Sequence, residues 1–292
     1  MSKIISHDKE LFNSKLDINI EGKDINYVVV STLRRIIFSK IPIFSFTEFE
    51  IKENTSIFNN DQIKLRLKNM AIIGVKNDLI FLNEEESISS LKQLTMYINY
   101  QNTSENIYSV TTDDVQFYYG GDKIDKLYKT PIPLIKLQKN QKIKLSAITT
   151  VSTEESSSLK SIFSPVSVCY YNEEKDNKFT FVIESRGQIS EKEIFNRAID
   201  NIVRDLDILY ELIPDKNPQN SSLLLDNYDH TYGNLLARGL QDDDDIEFAS
   251  YNMPHLLDNK IKINYNLKKG ELKLVIKKII NNYKKLYTKL KL

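Results

Sequence analysis

Two histidines and a run of four aspartates stand close together near the end of this chain. His230 and His255 flank Asp242–Asp245, and histidine and carboxylate groups are common metal ligands. One hypothesis is therefore a metal-dependent hydrolase that uses His230, His255 and Asp242–Asp245. The opposing interpretation is a solvated loop after a helix, because four consecutive carboxylates point in divergent directions and hard cations need ligands spaced around a turn. We favour the loop.

Covalent catalysis would need a serine or cysteine held beside one of these histidines. The single cysteine, Cys169, lies in the alternating stretch SVCYY and is interpreted as a small packed side chain. His230 stands beside Asp229 and Thr231 where a helix begins, which favours a capping or turn role. With one cysteine, neither an intrachain disulfide nor a cysteine-based zinc site can form. We therefore predict no catalytic residue.

The charge balance gives no sign of a nucleic-acid-binding surface along the chain. Its 292 residues include 40 Lys+Arg and 40 Asp+Glu, whereas a protein that grips nucleic acid along its length shows a basic excess. No apolar run is long enough to span a membrane, and MSKIISHDKE at the start lacks an apolar signal segment. The last helix is rich in lysine but lacks interleaved aromatic residues for base stacking, so its lysines are interpreted as a solvated face. They are Lys277, Lys278, Lys284, Lys285, Lys289 and Lys291.

An early helix and an extended segment are predicted in each half of the chain. Residues 24–41 repeat apolar side chains near the 3.6-residue period, with Asp24 as the expected N-cap. A second helix begins with Thr231 as its cap and ends in the QDDDD run. The extended segments that follow are residues 44–51 and 246–253.

Each half also ends in a strand followed by a long amphipathic helix. The strands are residues 178–185 and 260–267; one helix runs from about Ser190 to Ile213, and the other follows a turn at Gly270. Both helices space their apolar residues four, three, four, three and four apart, which is the seam of a helix that packs on a partner. Six large side chains per seam represent about 9–18 kcal/mol of burial as an upper estimate, so neither seam can face water. The seams are Phe195, Ile199, Ile202, Leu206, Leu209 and Ile213, and Leu272, Ile276, Ile279, Tyr283, Leu286 and Leu290.

The repeated plan predicts an α+β fold in which two copies of one unit form an intrachain pseudo-dimer. The first unit comprises residues 1–52 and 174–213, and short alternating stretches predict a mostly β insertion at 53–173. Two prolines and small polar residues mark a linker at 214–222, and the second unit is residues 223–292.

Ordered motifs in both halves resemble one family of RNA polymerase subunits. DHTYGNLLARGL followed by IEFASYNMPHLLDNKI is similar to the eleventh subunit of RNA polymerase II and the archaeal L subunit. The first half resembles the third-largest subunit, the archaeal D subunit and the bacterial alpha N-terminal domain. It does so through STLRRIIFSKIP, FTEFEIKENTS, IKLQKNQKIKLSA, FSPVSVCYY and FTFVIESRG, in that order. The resemblance implies that both units are alpha-like dimerisation units, and their fusion resembles the arrangement in large cytoplasmic DNA viruses.

The resemblance implies a non-catalytic assembly-platform subunit of a multisubunit DNA-directed RNA polymerase, which nucleates association of the two large catalytic subunits for transcription. The implied partners are the largest and second-largest subunits, with a small zinc-binding polymerase subunit as a further candidate. DNA is met only through the complex, no membrane is involved, and the implied location is cytoplasmic, in a viral factory or virion. A pseudo-dimer that scaffolds something other than a polymerase is the remaining alternative.

The resemblance also assigns roles to individual residues. The family's basic pair falls on Arg34 and Arg35, and its second arginine falls on Arg238 in the second unit. One such arginine is expected to contact the second-largest subunit, since a planar guanidinium holds carboxylates or carbonyls in fixed geometry. The helix pairs imply intrachain dimerisation through Val29, Leu33, Ile36, Ile37, Ile202, Leu206, Leu209, Tyr232, Leu235, Leu236, Leu240, Ile279, Tyr283 and Leu286.

The chain departs from the family pattern in three respects. Val30-Ser31 replaces the small Gly-Asn step before the basic pair, and Ala237 replaces the first arginine in the second unit. The cysteine cluster that holds zinc or iron–sulfur in many relatives is missing, so we expect no metal and no cofactor.

Overall fold

The computed structural model describes residues 2–9, 14–75, 92–156, 160–175, 177–215, 218–255 and 259–292. Two residues of the predicted linker, 216 and 217, and residues 256–258 of the second motif lie outside them. The chain forms two compact units. The first, called here the paired unit, contains Met1–Lys40, Val166–Ser185 and Glu191–Leu292. The second, the inserted unit, contains Ile41–Pro165 and Arg186–Ser190.

The helices and strands are named in chain order over the described residues. They are β1 (Ser2–Lys9), β2 (Ser14–Glu21), α1 (Tyr27–Ser39), β3 (Ile43–Asn54), α2 (Asn60–Lys68), β4 (Leu94–Gln101), β5 (Tyr108–Thr111), β6 (Gln116–Tyr119), β7 (Asp122–Ile124), β8 (Pro133–Leu137), β9 (Lys142–Ser152), β10 (Val166–Lys175), β11 (Lys178–Ser185), α3 (Glu191–Glu211), β12 (Asn220–Asp226), α4 (His230–Gln241), β13 (Ile246–Asn252), β14 (Lys260–Leu267) and α5 (Leu272–Leu290). Short 3-10 turns lie at Thr112–Asp114 and Lys160–Phe163.

The paired unit contains the same arrangement twice. The first copy is an antiparallel sheet in the order β1-β2-β11-β10 with helices α1 and α3, and the second is an antiparallel sheet in the order β12-β14-β13 with helices α4 and α5. In each copy one strand, β2 or β12, precedes the short helix. The strand that pairs with it, β11 or β14, precedes the long helix. The predicted α+β pseudo-dimer is therefore confirmed.

Local capping explains where the two short helices begin. The Asn26 side chain accepts hydrogen bonds from the N–H groups of Val28 and Val29 at 3.0 and 3.1 Å, so α1 starts at Tyr27 and the prediction of Asp24 as cap was wrong. In the second copy Asp229, not Thr231, is the cap; its carboxylate accepts the Thr231 N–H at 2.9 Å. Each cap satisfies backbone donors that the first helical turn leaves without partners.

Two strands that precede the short helices were missing from the predicted plan. β2 and β12 each pair with the central strand of their sheet, and β12 takes residues 220–222 out of the predicted linker. The plan also matched residues 44–51 with residues 246–253. That match was wrong, because residues 44–51 belong to β3, which pairs with β9 in the inserted unit. The strand of the first copy that corresponds to β13 is β10, since β10 lies next to β11 as β13 lies next to β14.

The inserted unit is mostly β structure, as predicted. Its main sheet has the order β3-β9-β4-β6-β7, β5 pairs with β8, and α2 packs on β3 and β8. The unit starts at Ile41 rather than at residue 53, because β3 pairs along its length with β9. It ends at Pro165 rather than residue 173, since β10 belongs to the sheet of the first copy. Its core includes Phe44, Phe46, Leu67, Leu94, Met96, Ile98, Ile143 and Leu145.

Candidate functional site

The candidate site is built on four helices that pack within the paired unit. α1 contacts α3 and α4, α3 contacts α5, and α4 contacts α5, so each long helix meets the other copy. Of the predicted dimerisation residues, all but one are at least nine-tenths buried. They are Val29, Leu33, Ile36, Ile37, Ile202, Leu206, Leu209, Tyr232, Leu235, Leu236, Leu240, Ile279 and Tyr283. Leu286 is half-buried and lines a cleft beside α4.

A buried tyrosine that the sequence prediction missed joins the two copies. The Tyr287 hydroxyl donates to the Val29 carbonyl oxygen at 3.0 Å, and the Thr32 side chain also hydrogen-bonds the phenol. Tyr287 is fully buried, and burial raises its pKa well above the usual value. The predicted seven-residue repeat assigned Leu286 to the buried face of this turn of α5. An α-helix has 3.6 residues per turn, so along α5 its buried face shifts by one residue relative to a strict seven-residue repeat and includes Tyr287 instead. A prediction based on the 3.6-residue period would therefore have identified Tyr287.

A polar cluster lies where α1, α3 and α4 meet. The Asp205 carboxylate accepts hydrogen bonds from the Lys40 ammonium at 2.7 Å and from the Tyr232 hydroxyl at 2.5 Å. The Lys40 ammonium also lies 5.3 Å from the centre of the Tyr232 ring. Asp205 and Lys40 keep only 16% and 22% of their side chains exposed, so solvent screens this ion pair less than a surface pair. Residues of both copies are thus fixed by charge as well as by apolar packing.

Lysines on α5 and at its C-terminal cap pair with aspartates of the first copy. Lys284 lies 2.5 Å from Asp207, and Lys291 hydrogen-bonds Asp200. Just beyond α5, the Leu292 N–H donates a hydrogen bond to the Asn196 side-chain amide oxygen, and the Asn196 amide nitrogen donates one to the Leu292 carbonyl. Two of the lysines interpreted as a solvated face therefore hold α5 in register against α3.

The three arginines singled out from the sequence have different surroundings. The Arg34 Nε donates to the Cys169 carbonyl at 3.1 Å, and its guanidinium lies 5.3 Å from the Phe38 ring, so it anchors α1 to β10. Arg35 is exposed. Its Nη1 lies 3.4 Å from the Thr231 hydroxyl and 3.8 Å from the Asp229 carboxylate at the start of α4.

Arg238 occupies in α4 the position that Arg35 occupies in α1. It lines the same cleft as Asn26, which is the helix cap equivalent to Asp229. Because this cap is neutral, it offers no carboxylate, and the Arg238 Nε instead donates to Asp242 on its own helix at 2.9 Å. Of the three guanidinium groups, Arg35 has the longest and weakest contacts.

The histidines and aspartates of the hydrolase hypothesis have structural contacts. Asp243 pairs with Lys278 at 2.9 Å, and the His230 ring lies edge-on to the Tyr251 ring with centres 5.8 Å apart. Within the part of the chain that the structure describes, no three His, Cys, Asp or Glu side chains are grouped as metal ligands. The hydrolase hypothesis therefore has no metal cluster to act through in these residues.

The buried thiol of Cys169 does not resemble a nucleophile. It is 4% exposed, and burial raises its pKa to about 12, so thiolate is scarce at neutral pH. Arg34 lowers this pKa by a smaller amount and contacts the backbone carbonyl of the residue. The cysteine acts as a core side chain.

The duplicated sheets and paired helices define a dimerisation fold, and sequence comparison gives its family. Residues 20–206 and residues 220–291 each match the RNA polymerase Rpb3/Rpb11 dimerisation domain. Since the first match alone spans more than half of the chain, the chain belongs to this family. The family resemblance stated from the motifs is confirmed, and both domains lie in one polypeptide.

Relatives of the chain carry RNA polymerase names. It is 24% identical over 295 residues to a putative DNA-directed RNA polymerase subunit of Acanthamoeba polyphaga mimivirus, covering 87% of this chain and 82% of that protein. A 56-residue stretch, 19% of this chain, is 39% identical to the probable DNA-directed RNA polymerases I and III subunit RPAC2 of Caenorhabditis briggsae, of which it covers 39%. The mimivirus relative fits the predicted viral arrangement, and family and relatives together support an RNA polymerase subunit role. None of the described helices is long and apolar enough to cross a membrane.

Proposed function

We propose that this chain is a non-catalytic assembly-platform subunit of a multisubunit DNA-directed RNA polymerase. It nucleates association of the largest and second-largest subunits. The observation that carries the proposal is the packing of both family domains on each other within one chain, through buried helix faces and the Asp205 cluster. A preformed pair presents a rigid outer surface, which reduces the ordering cost of binding large partners.

Arg35 is the residue proposed to contact the second-largest subunit. Its guanidinium is exposed and lies 3.8 Å from Asp229, an exposed pair that contributes about 1 kcal/mol or less to folding. A partner carboxylate or carbonyl can therefore take over this planar group at little cost to the fold. Arg34 and Arg238 have closer contacts within the chain, and we rank them below Arg35.

Co-expression with the two large subunits tests the proposal. The wild-type chain should pull down both, and Arg35→Ala should weaken recovery of the second-largest subunit while leaving the helical circular dichroism unchanged. Arg35→Lys keeps the charge but loses the planar fork, so it should recover only part of the binding. Lys285→Ala, which removes an exposed cation from α5, is the matched control. A wild-type chain that captures neither large subunit would refute the platform, and unchanged binding by Arg35→Ala would refute this contact alone.

The remaining roles follow from the platform proposal. A small zinc-binding polymerase subunit is a further candidate partner. DNA is reached only through the assembled enzyme, in keeping with the zero net charge of the chain. The proposed location, cytoplasmic in a viral factory or virion, rests on the fused arrangement that the mimivirus relative shares. Isolated chain should show no nucleotide incorporation on a primed template, and incorporation by it would refute the non-catalytic role.

A further inference from the structure

The two copies in the paired unit differ at one sheet edge. In the first copy β1 pairs antiparallel with the outer side of β2, from Ser2 opposite Ile20 to Lys9 opposite Ser14. In the second copy β12 is the equivalent of β2, and it forms the end of its sheet. Among the described residues no strand pairs with the outer side of β12. The duplication therefore shows both the position and the kind of element that covers such an edge.

The backbone of β12 is arranged to accept another strand. The Asn227 N–H donates to Asn259, and the Leu267 N–H donates to Gln219. These contacts place the odd-numbered residues of β12 in hydrogen-bonded pairs with β14, and antiparallel pairing alternates. The even-numbered residues therefore point their N–H and C=O groups away from the sheet. They are Asn220, Ser222, Leu224 and Asp226.

β12 lacks most of the features that usually protect an edge strand, and its one charged residue is Asp226. Its register with β14 runs without a bulge from residue 220 to 226, whereas the opposite edge, β13, is broken by a bulge between Ile246 and Phe248. The strand NSSLLLD contains no lysine or proline. Leu224 is 54% exposed, so the edge also carries an apolar side chain in water.

We propose that the outer edge of β12 is a strand-addition site, at which an extended segment of another polymerase subunit pairs antiparallel with residues 220–226. This inference rests on the proposed function. The segment has the chemistry that the edge requires, which is an apolar or β-branched residue beside the exposed Leu224. Asp226, whose side chain is 63% exposed, already pairs with Lys260 of β14 at 3.2 Å, so the edge needs no cation from the segment. Its backbone supplies the main-chain hydrogen bonds, as in other strand-addition complexes.

A second copy of this chain fits the edge less well. Antiparallel self-pairing over the whole of residues 220–226 places Leu224 opposite Ser222, so the exposed leucine gains a polar neighbour. The register that places Leu224 opposite itself pairs only residues 222–226. A different chain can pair along the whole strand and still place an apolar residue beside Leu224, so we assign the edge to a heterologous partner.

Amide hydrogen exchange tests the site on the intact protein. Peptides covering residues 219–227 are compared between the isolated chain and the assembled polymerase. We expect the amides of Ser222 and Leu224 to slow by at least about tenfold on assembly, while those of Leu223 and Leu225 are protected in both states. A photo-crosslinking residue at position 224 should attach to one segment of one other subunit.

A proline substitution gives a variant specific to the edge. Ser222→Pro removes an outward N–H and leaves the pairing with β14 intact, whereas Ser222→Ala keeps the N–H and is the control. The protection that the Leu224 amide gains on assembly should be lost in the first variant and kept in the second, while the Leu223 and Leu225 amides stay protected by β14 in both. The wild-type comparison stands by itself should the proline variant not fold.

Each other outcome overturns the inference in a distinguishable way. An enzyme that assembles with both large subunits while Ser222 and Leu224 still exchange freely refutes the strand site and leaves the platform function standing. Protection that appears in the isolated chain as its concentration rises identifies a second copy as the occupant. Failure of the chain to assemble with the large subunits refutes the proposed function and this site together.

Discussion

Removing the Tyr287 hydroxyl should weaken the connection between the two copies. Tyr287→Phe keeps the ring and its packing, so no cavity forms, but it removes the hydrogen bond to the Val29 carbonyl. A buried hydrogen bond of this kind contributes about 0.5–1.5 kcal/mol. The Thr32 side chain, which is 2% exposed, also loses its bond to the phenol, and burial without that partner costs about 1 kcal/mol more. We therefore expect the free energy of unfolding of the paired unit to fall by about 1.5–2.5 kcal/mol.

Tyr283→Phe is the matched control. Its hydroxyl donates to the Leu235 carbonyl at 3.1 Å, so this bond lies within the second copy. The expected loss is about 1 kcal/mol, because Thr32 is not involved. In a double-mutant cycle, Thr32→Val should couple to Tyr287→Phe by about 1 kcal/mol and should add independently to Tyr283→Phe.

Native-state hydrogen exchange of peptides from α1 and α5 is the appropriate assay. The chain has two compact units, so a whole-chain unfolding signal need not follow two-state behaviour. A change below about 0.3 kcal/mol for Tyr287→Phe, or no coupling to Thr32, would show that the buried hydroxyl does not hold the copies together.

Three further substitutions or reactions probe the same unit. Gly239→Ala should destabilise the paired unit by about 1–2 kcal/mol despite the gain in helix propensity, because the new Cβ would lie 2.4 Å from Ile279 Cγ2. This loss of stability should disappear in an Ile279→Ala background, and a loss that persists there contradicts the steric cause. The Cys169 thiol, whose pKa burial raises to about 12, should react with a disulfide reagent at least about 100-fold faster in denaturant than in buffer, and equal rates would contradict its burial. Burial acts to raise the pKa of Asp243, but the Lys278 hydrogen bond and a backbone N–H outweigh it and lower the pKa. The carboxylate therefore stabilises the fold above its unfolded pKa near 3.9, and this contribution is lost as pH falls through the lowered value. Asp243→Asn should flatten the acid loss of stability measured by urea midpoints, and an unchanged acid dependence would refute this.

Periodicity located the regular elements of the chain well. The strands at 178–185 and 260–267 and both long helices were predicted closely, because each combines a clear apolar period with a turn signal at Gly187 or Gly270. β2 and β12 were missed. β12 buries only Leu223 and Leu225 and, apart from the exposed Leu224, is otherwise polar, so its segment resembles a loop in the sequence.

Side-chain partners distant in sequence could not be predicted. Asp205 meets Lys40 across 165 residues, and nothing in the local sequence distinguishes it from Asp200 and Asp207 on the same helix. The basic pair on α1 was found from the family pattern. Which of the two arginines faces outward depends on the position of β10, whose backbone takes the Arg34 side chain. The direction in which each arginine points is therefore decided by how the helices and strands pack, and not by the local sequence pattern.

Joining both dimerisation domains in one polypeptide changes how their association responds to dilution. Only a short connection separates the end of α3 at Glu211 from the start of β12 at Asn220. A short tether holds two modules at an effective concentration of the order of millimolar, whatever the amount of protein in the cell. The two domains are thus made in a strict one-to-one ratio and meet as neighbours, so neither accumulates as an orphan, and pairing within the chain outcompetes pairing between chains at lower protein concentrations. Each molecule synthesised carries both halves of the pair.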